Sequence, residues 1–289
     1  MSEATWPSPA YFTTSDGLRL AYVDCMPTEP DGSVPLICLA GLTRDGQDFR
    51  YLLPHMTGRR LILLDARGRG SSDHADDFTT YAVPVEARDV IEMLDHLNIA
   101  RAAVLGTSRG GMVAMVLAAT VKERLAAVVL NDVGPEIPAG GVDRIMAYVG
   151  RRPAAKTHRE AAEALSAHLG SDFPDVPFQR WLEEAQTFYE QTDDGLALRY
   201  DKRIRDALLA QAEAGPFPDL WPLFMALQGL PCGVIRGENS DILSRDTFSE
   251  MQRRLPELEA VEVANRGHVP FLDEPAALAL IKNVLDQIE

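Results

Sequence analysis

An α/β fold, with a mostly parallel sheet between two layers of helices and a helical insertion, is what this 289-residue chain predicts. Three observations predict it. Short apolar runs alternate with segments of helical period in the first half, and the alternation resumes near the C-terminus. One apolar run passes through Gly106-Thr-Ser-Arg-Gly110 straight into an alanine- and methionine-rich stretch. Between Pro138 and Pro222 no strand-like apolar run occurs and helical patterns dominate. The expected division is a core formed by residues 1–137 and 223–289, with 138–222 as a helical cap above the sheet.

The elements follow in order. Tyr11–Thr14 and Leu18–Val23 flank Ser15-Asp16-Gly17, an Asp-Gly turn signal, so residues 10–25 read as a hairpin. Pro35–Ala40 is an uninterrupted apolar run, as suits a strand covered on both faces of a parallel sheet. Asp48–Pro54 suits a short helical turn, and Arg60–Asp65 the next strand. From Val83 to Leu97, apolar residues at 83, 87, 90, 91, 94 and 97 keep a helical period with charges between them. Arg101–Leu105 and Leu125–Leu130 are buried strands. Pro231–Arg236 and Glu259–Ala264 are the last two, followed respectively by helices over Ser244–Leu255 and Pro275–Ile288.

Composition narrows the function classes. Hydrophobic residues make up 46% of the chain, enough for a sizeable core. The formal net charge of −15 repels phosphate backbones, so nucleic acid is not an expected partner. Cys25, Cys38 and Cys232 show neither a C-x-x-C nor a zinc spacing, and no disulfide framework is implied. The N-terminal Met-Ser-Glu-Ala-Thr-Trp-Pro-Ser-Pro lacks the basic and apolar regions of a signal peptide, and no stretch is long and apolar enough for a membrane span. A cytoplasmic location, no membrane partner and no cofactor are the expectations; a homodimer stays open, since the sequence does not fix oligomeric state.

The chemistry centres on Ser108. Strand, G-x-S-x-G turn and helix are written consecutively, the context in which a serine is held in a sharp turn with its hydroxyl exposed. A helix N-cap is the plainer role for such a serine. His268, in Asn265-Arg-Gly-His-Val-Pro-Phe271 just after the last strand, is the favoured base among six histidines, because imidazole titrates near neutrality without help. Asp241, in Arg236-Gly-Glu-Asn-Ser-Asp-Ile-Leu243, is the favoured orienting carboxylate; Asp132, in Asn131-Asp-Val-Gly-Pro135, is its rival. The N–H of Arg109 and, from the loop Ala40-Gly-Leu-Thr-Arg-Asp-Gly46, the N–H of Leu42 are the expected oxyanion donors. G-x-G-x-x-G, G-K-[ST] and metal-ligand spacings are missing.

With the order Ser108, Asp241, His268, the glycine-containing loop and Asp65-Ala-Arg-Gly-Arg-Gly-Ser-Ser-Asp73, the chain resembles the α/β-hydrolase family over almost its whole length. The resemblance implies that Asp65 and Arg67 order the backbone of their loop. It also shows a departure, since many members carry His-Gly where this chain has Ala40-Gly41. It implies a serine hydrolase of a small-molecule ester or lactone, working through an acyl-enzyme without a cofactor. A C–C bond hydrolase of aromatic degradation is the alternative within the fold, and a non-catalytic small-molecule receptor the alternative outside catalysis. In the cap, Met146, Trp181, Phe188 and Trp221 are the candidates to line an apolar pocket over Ser108.

Overall fold

The computed structural model describes residues 6–29, 32–215 and 218–288; Met1–Thr5 of the N-terminal segment read above lie outside them. The hairpin is β1 (Ala10–Thr13) and β2 (Arg19–Cys25), turned at Gly17, whose φ of 84° is easiest for glycine. The strands β3 (Leu36–Leu39), β4 (Leu61–Leu64), β5 (Ala102–Thr107) and β6 (Leu125–Asn131) are buried along their whole length. This is why they read as unbroken apolar runs rather than as alternating ones. With β9 (Cys232–Gly237) and β10 (Glu259–Val263) they form an eight-stranded sheet in the order β1-β2-β4-β3-β5-β6-β9-β10. Only the pairings of β1 with β2 and of β2 with β4 are antiparallel.

Helices cover both faces. On one side α1 (Val83–His96), α2 (Arg109–Thr120), α7 (Trp221–Met225) and α8 (Arg245–Arg254) bury Val90, Leu94, Val113, Leu117, Phe224 and Met251 against Ile37, Val104, Val128 and Val234. On the other, α9 (Pro275–Asp286) and the turn at Gly46–Tyr51 pack Ile281, Val284 and Phe49 against Leu36, Leu63, Leu105 and Val129. Each such fully buried aliphatic side chain contributes about 1.5–3 kcal/mol relative to exposure.

The segment between β6 and α7 holds α3 (Ala139–Tyr148), α4 (His158–Leu169), α5 (Phe178–Phe188) and α6 (Ile204–Ala214). It also holds a hairpin, β7 (Tyr189–Thr192) with β8 (Gly195–Leu198), which corrects the all-helical expectation. The hairpin turns at Asp193-Asp194-Gly195, where Gly195 takes φ 108° and the Thr192 hydroxyl donates to the Gly195 carbonyl (2.7 Å). The insertion sits over the C-terminal ends of the parallel strands. Arg199 bonds Asp45 in the loop after β3, the Gly70 N–H after β4 donates to the Arg199 carbonyl (2.8 Å), and Phe173 packs on Phe271 after β10.

Candidate active site

Ser108 stands between β5 and α2 with φ 51° and ψ −115°, a backbone region that L-residues rarely occupy. The ladder holds it there: its N–H donates to the Asn131 carbonyl of β6 (2.9 Å) and its own carbonyl accepts from Gly111 (2.9 Å). The flanking glycines are sterically required. A Cβ on Gly106 would collide with the Gly110 carbonyl, and one on Gly110 with the Leu39 carbonyl of β3. Ser108 makes no side-chain N-cap bond to α2. Its Oγ instead lies 3.0 Å from Nε2 of His268.

The His268 loop is brought in by close backbone packing. A Cβ on Gly237, at the end of β9, would stand 2.5 Å from the carbonyl oxygens of Arg266 and Gly267. The Asn131 side-chain amide donates to the Pro270 carbonyl (3.3 Å), and the Phe271 and Leu272 N–H groups donate to the Glu274 carboxylate (3.1 and 2.9 Å).

The carboxylate partner corrects the expectation from sequence. His268 Nδ1 is 2.8 Å from Oδ2 of Asp132, not of Asp241. Asp132 is fully buried directly after β6, and its Oδ1 accepts from the Gly237 N–H (2.8 Å). A carboxylate can only accept, so Nδ1 donates and Nε2 is left to accept the Ser108 hydroxyl proton. The sheet order alone allows either carboxylate, because β6 lies beside β5, which carries Ser108, and β9, which precedes Asp241, lies beside β10, which precedes His268. The conformation of the loop after β9 turns Asp241 elsewhere. The Ser240 hydroxyl accepts from the Ile242 and Leu243 N–H groups (3.2 and 3.0 Å), folding that loop into a turn. Asp241 then meets Arg144 of α3 (3.1 Å), so it ties the insertion to the core.

Above the serine, the main chain of Gly41 passes close enough that a Cβ there would stand 3.8 Å from Ser108 Cβ. Leu42 is the next residue of this loop and packs against the cluster that holds Tyr81 and Tyr200. The Arg109 N–H opens α2, where first-turn N–H groups have no partner within the helix. Asp65 and Arg67 order the neighbouring loop: Asp65 accepts from the Gly46 and Ser71 N–H groups (both 2.8 Å), and Arg67 pairs with buried Asp89 through two bonds of 2.7 Å.

The four cap residues separate. Phe188 lies against the Arg44 guanidinium, 3.4 Å from the ring centroid, and so covers the loop that carries Leu42. Met146 is half-buried on α3, and its carbonyl accepts from Arg205 (2.6 Å). Trp181 is packed inside the insertion, edge-on to Phe173 at 5.7 Å, among Ala162, Ala185 and Leu196. Trp221 belongs to the main core beneath Arg254, and its indole N–H donates to Glu136 (2.7 Å). Both tryptophans are buried in packed clusters and act as glue there, as burial of so large a ring favours.

Two features escaped the sequence reading. Arg44 and Arg50 converge on one nearly buried carboxylate of the insertion, Glu184. Behind the serine, Glu86 of α1 stands between Arg69 and Arg109, bonded to each at 2.8 Å. Burial pushes the Glu86 carboxyl up, but the two facing guanidinium groups outweigh it and hold it below the usual carboxylate range. The spacing of Glu86 on an amphipathic helix showed only a polar position. The place of Arg109 at the head of the apolar helix α2 was the available signal.

The fold and this constellation define a hydrolase class, and the comparisons agree. The sequence pattern of the alpha/beta hydrolase family matches residues 36–279, and the chain belongs to that family. It is 33% identical to a 3-hydroxybutyrate-oligomer hydrolase of Cupriavidus necator, over 91% of this chain and 96% of that one. It is 28% identical to a 2-(acetamidomethylene)succinate hydrolase of Mesorhizobium japonicum, over 88% and 89% respectively. Among solved structures, an alpha/beta hydrolase from Novosphingobium aromaticivorans superposes with a TM-score of 0.90 at 40% identity, covering 97% of this chain and 98% of that one. No helix among the described residues is long and apolar enough to cross a membrane.

Proposed function

We propose that this hydrolase cleaves carboxylic esters by nucleophilic catalysis at Ser108. The observation that carries the reading is the continuous chain of contacts from Ser108 Oγ to His268 (3.0 Å) and from His268 to buried Asp132 (2.8 Å). His268 Nε2 takes the hydroxyl proton as Oγ bonds to the ester carbonyl carbon. The carbonyl oxygen becomes an oxyanion facing the Leu42 and Arg109 N–H groups. Collapse of the tetrahedral species breaks the ester C–O bond, and the leaving alcohol receives the proton from Nε2. Water then gives a proton to Nε2 as its oxygen attacks the acyl-enzyme; the acid leaves and Ser108 recovers its proton. Asp132 keeps the imidazole in the required tautomer and balances its charge during both steps.

The relative from Cupriavidus necator is named for oligomers of 3-hydroxybutyrate, which are chains of carboxylic esters. That supports short hydroxyacyl esters as the first substrates to try, alongside lactones. With a p-nitrophenyl short-chain ester, Ser108→Ala should lose about 10⁴-fold or more in kcat while keeping its fold. Turnover of the purified variant within tenfold of wild type contradicts the assignment.

A further inference from the structure

The two expected oxyanion donors lie on different elements, Leu42 on the loop after β3 and Arg109 at the start of α2. A hole built this way works only if both N–H groups are held in register, since misplacing or losing one donor typically costs about 10²–10³-fold in rate. One set of buried side chains connects the two elements. The Arg69 guanidinium donates through Nε to the Leu42 carbonyl (2.9 Å) and through Nη1 to Oε1 of Glu86 (2.8 Å). The other oxygen of Glu86 accepts from Nε of Arg109 (2.8 Å), and Arg109 Nη2 donates to the Tyr81 carbonyl (3.0 Å). Arg69, Glu86 and Arg109 are each at least nine-tenths buried.

We propose that Glu86 is a positioning residue: through Arg69 on one side and Arg109 on the other, it holds the two halves of the oxyanion hole at a fixed separation. This rests on the reading of Ser108 as nucleophile and of the Leu42 and Arg109 N–H groups as oxyanion donors. The geometry is specific to the task. A helix-surface carboxylate needs one cation, whereas here a single carboxylate divides its two oxygens between guanidinium groups that each brace a donor-bearing segment. Such a buried triad is expensive to assemble, and a hydrophobic replacement would usually serve the fold as well. The network also reaches the insertion, because the Tyr81 carbonyl accepts from Gln211 of α6 (3.1 Å) and the Tyr81 hydroxyl donates to Asp201 (2.7 Å).

The test compares ground-state and tetrahedral ligands. Wild type, Glu86→Gln and Arg69→Lys are assayed on a p-nitrophenyl ester, with active sites counted by fluorophosphonate labelling of Ser108 and inhibition measured with an alkyl boronic acid, whose serine adduct is tetrahedral. Glu86→Gln should lower kcat per labelled site by about 10–100-fold and weaken the boronic acid by a comparable factor, with KM changing less than about threefold. Arg69→Lys keeps the charge but lacks the fork that reaches both acceptors, so it should show the same pattern. A merely structural role would lower melting temperature and leave kcat per labelled site and boronic acid affinity within twofold of wild type; that result overturns the proposal. If Glu86→Gln does not fold, Arg69→Lys decides by the same criterion, and failure of both to fold overturns it, since the triad is then needed for the fold. An unlabelled Ser108 in wild type would instead overturn the nucleophile reading.

Discussion

Asp65 illustrates what a single buried residue does in this chain. It leaves β4, bonds the backbone of two loops, and lies beside Asp45, which itself holds Arg199 of the insertion at 2.9 Å. Burial, and then the Asp45 carboxylate, push its carboxyl up from 3.8 to about 7, against the opposing pull of the Ser71 and Gly46 N–H groups and Arg199. The folded state therefore holds this proton more tightly than the unfolded chain. The stabilisation is complete below about pH 4 and is lost as pH rises through about 7. Asp65→Asn, neutral throughout, should gain in melting temperature relative to wild type by several degrees between pH 4 and pH 7. A constant difference across that range would contradict the burial argument. At this scale the meeting of Ser108 and His268 was legible in the sequence, because the glycines around Ser108 and the loop position of His268 are local signals. The carboxylate was not. Asp241 and Asp132 both follow sheet strands, and only long-range contacts, Asp132 with His268 and Asp241 with Arg144, show which of them reaches the imidazole.

At the scale of elements, the joint between β5 and α2 is closely packed. Strand and helix approach until Gly110 touches β3, and the strain at Ser108 is held by the ladder bond to β6. Gly110→Ala should cost about 1–3 kcal/mol from overpacking, read as a lower urea midpoint, and should also lower kcat by displacing the Arg109 N–H. Gly140, in α3, offers the control: a Cβ there meets nothing within 4 Å, so Gly140→Ala should be neutral or stabilising by about 0.5–1 kcal/mol. Equal midpoints for the two variants would contradict the steric account. Elements with a strong period or an unbroken apolar run, such as α1 and β3 to β6, were recovered from sequence nearly residue for residue. The β7–β8 hairpin was not. Tyr189–Thr192 is largely exposed and polar, so the pairing rests on the turn at Gly195 and on register rather than on a buried face.

Across the whole molecule, the sheet carries the proposed catalytic residues and the insertion lies above them. Ser108, Asp132 and His268 all leave the C-terminal ends of parallel strands, and the insertion is fastened above them by ion pairs: Arg44 and Arg50 with Glu184, Arg199 with Asp45, and Arg180 with Asp273. These pairs join residues far apart in sequence, which is why pattern and period did not show them. On the proposed reading, Ser108, His268 and Asp132 work as one unit, with Asp241 outside it. The most direct test is kcat on a p-nitrophenyl ester for Asp132→Asn and Asp241→Asn, each checked for native folding. Asp132→Asn should lose about 10⁴-fold, as removal of the orienting carboxylate leaves the wrong tautomer, and Asp241→Asn should lose less than tenfold. The opposite ranking would contradict it.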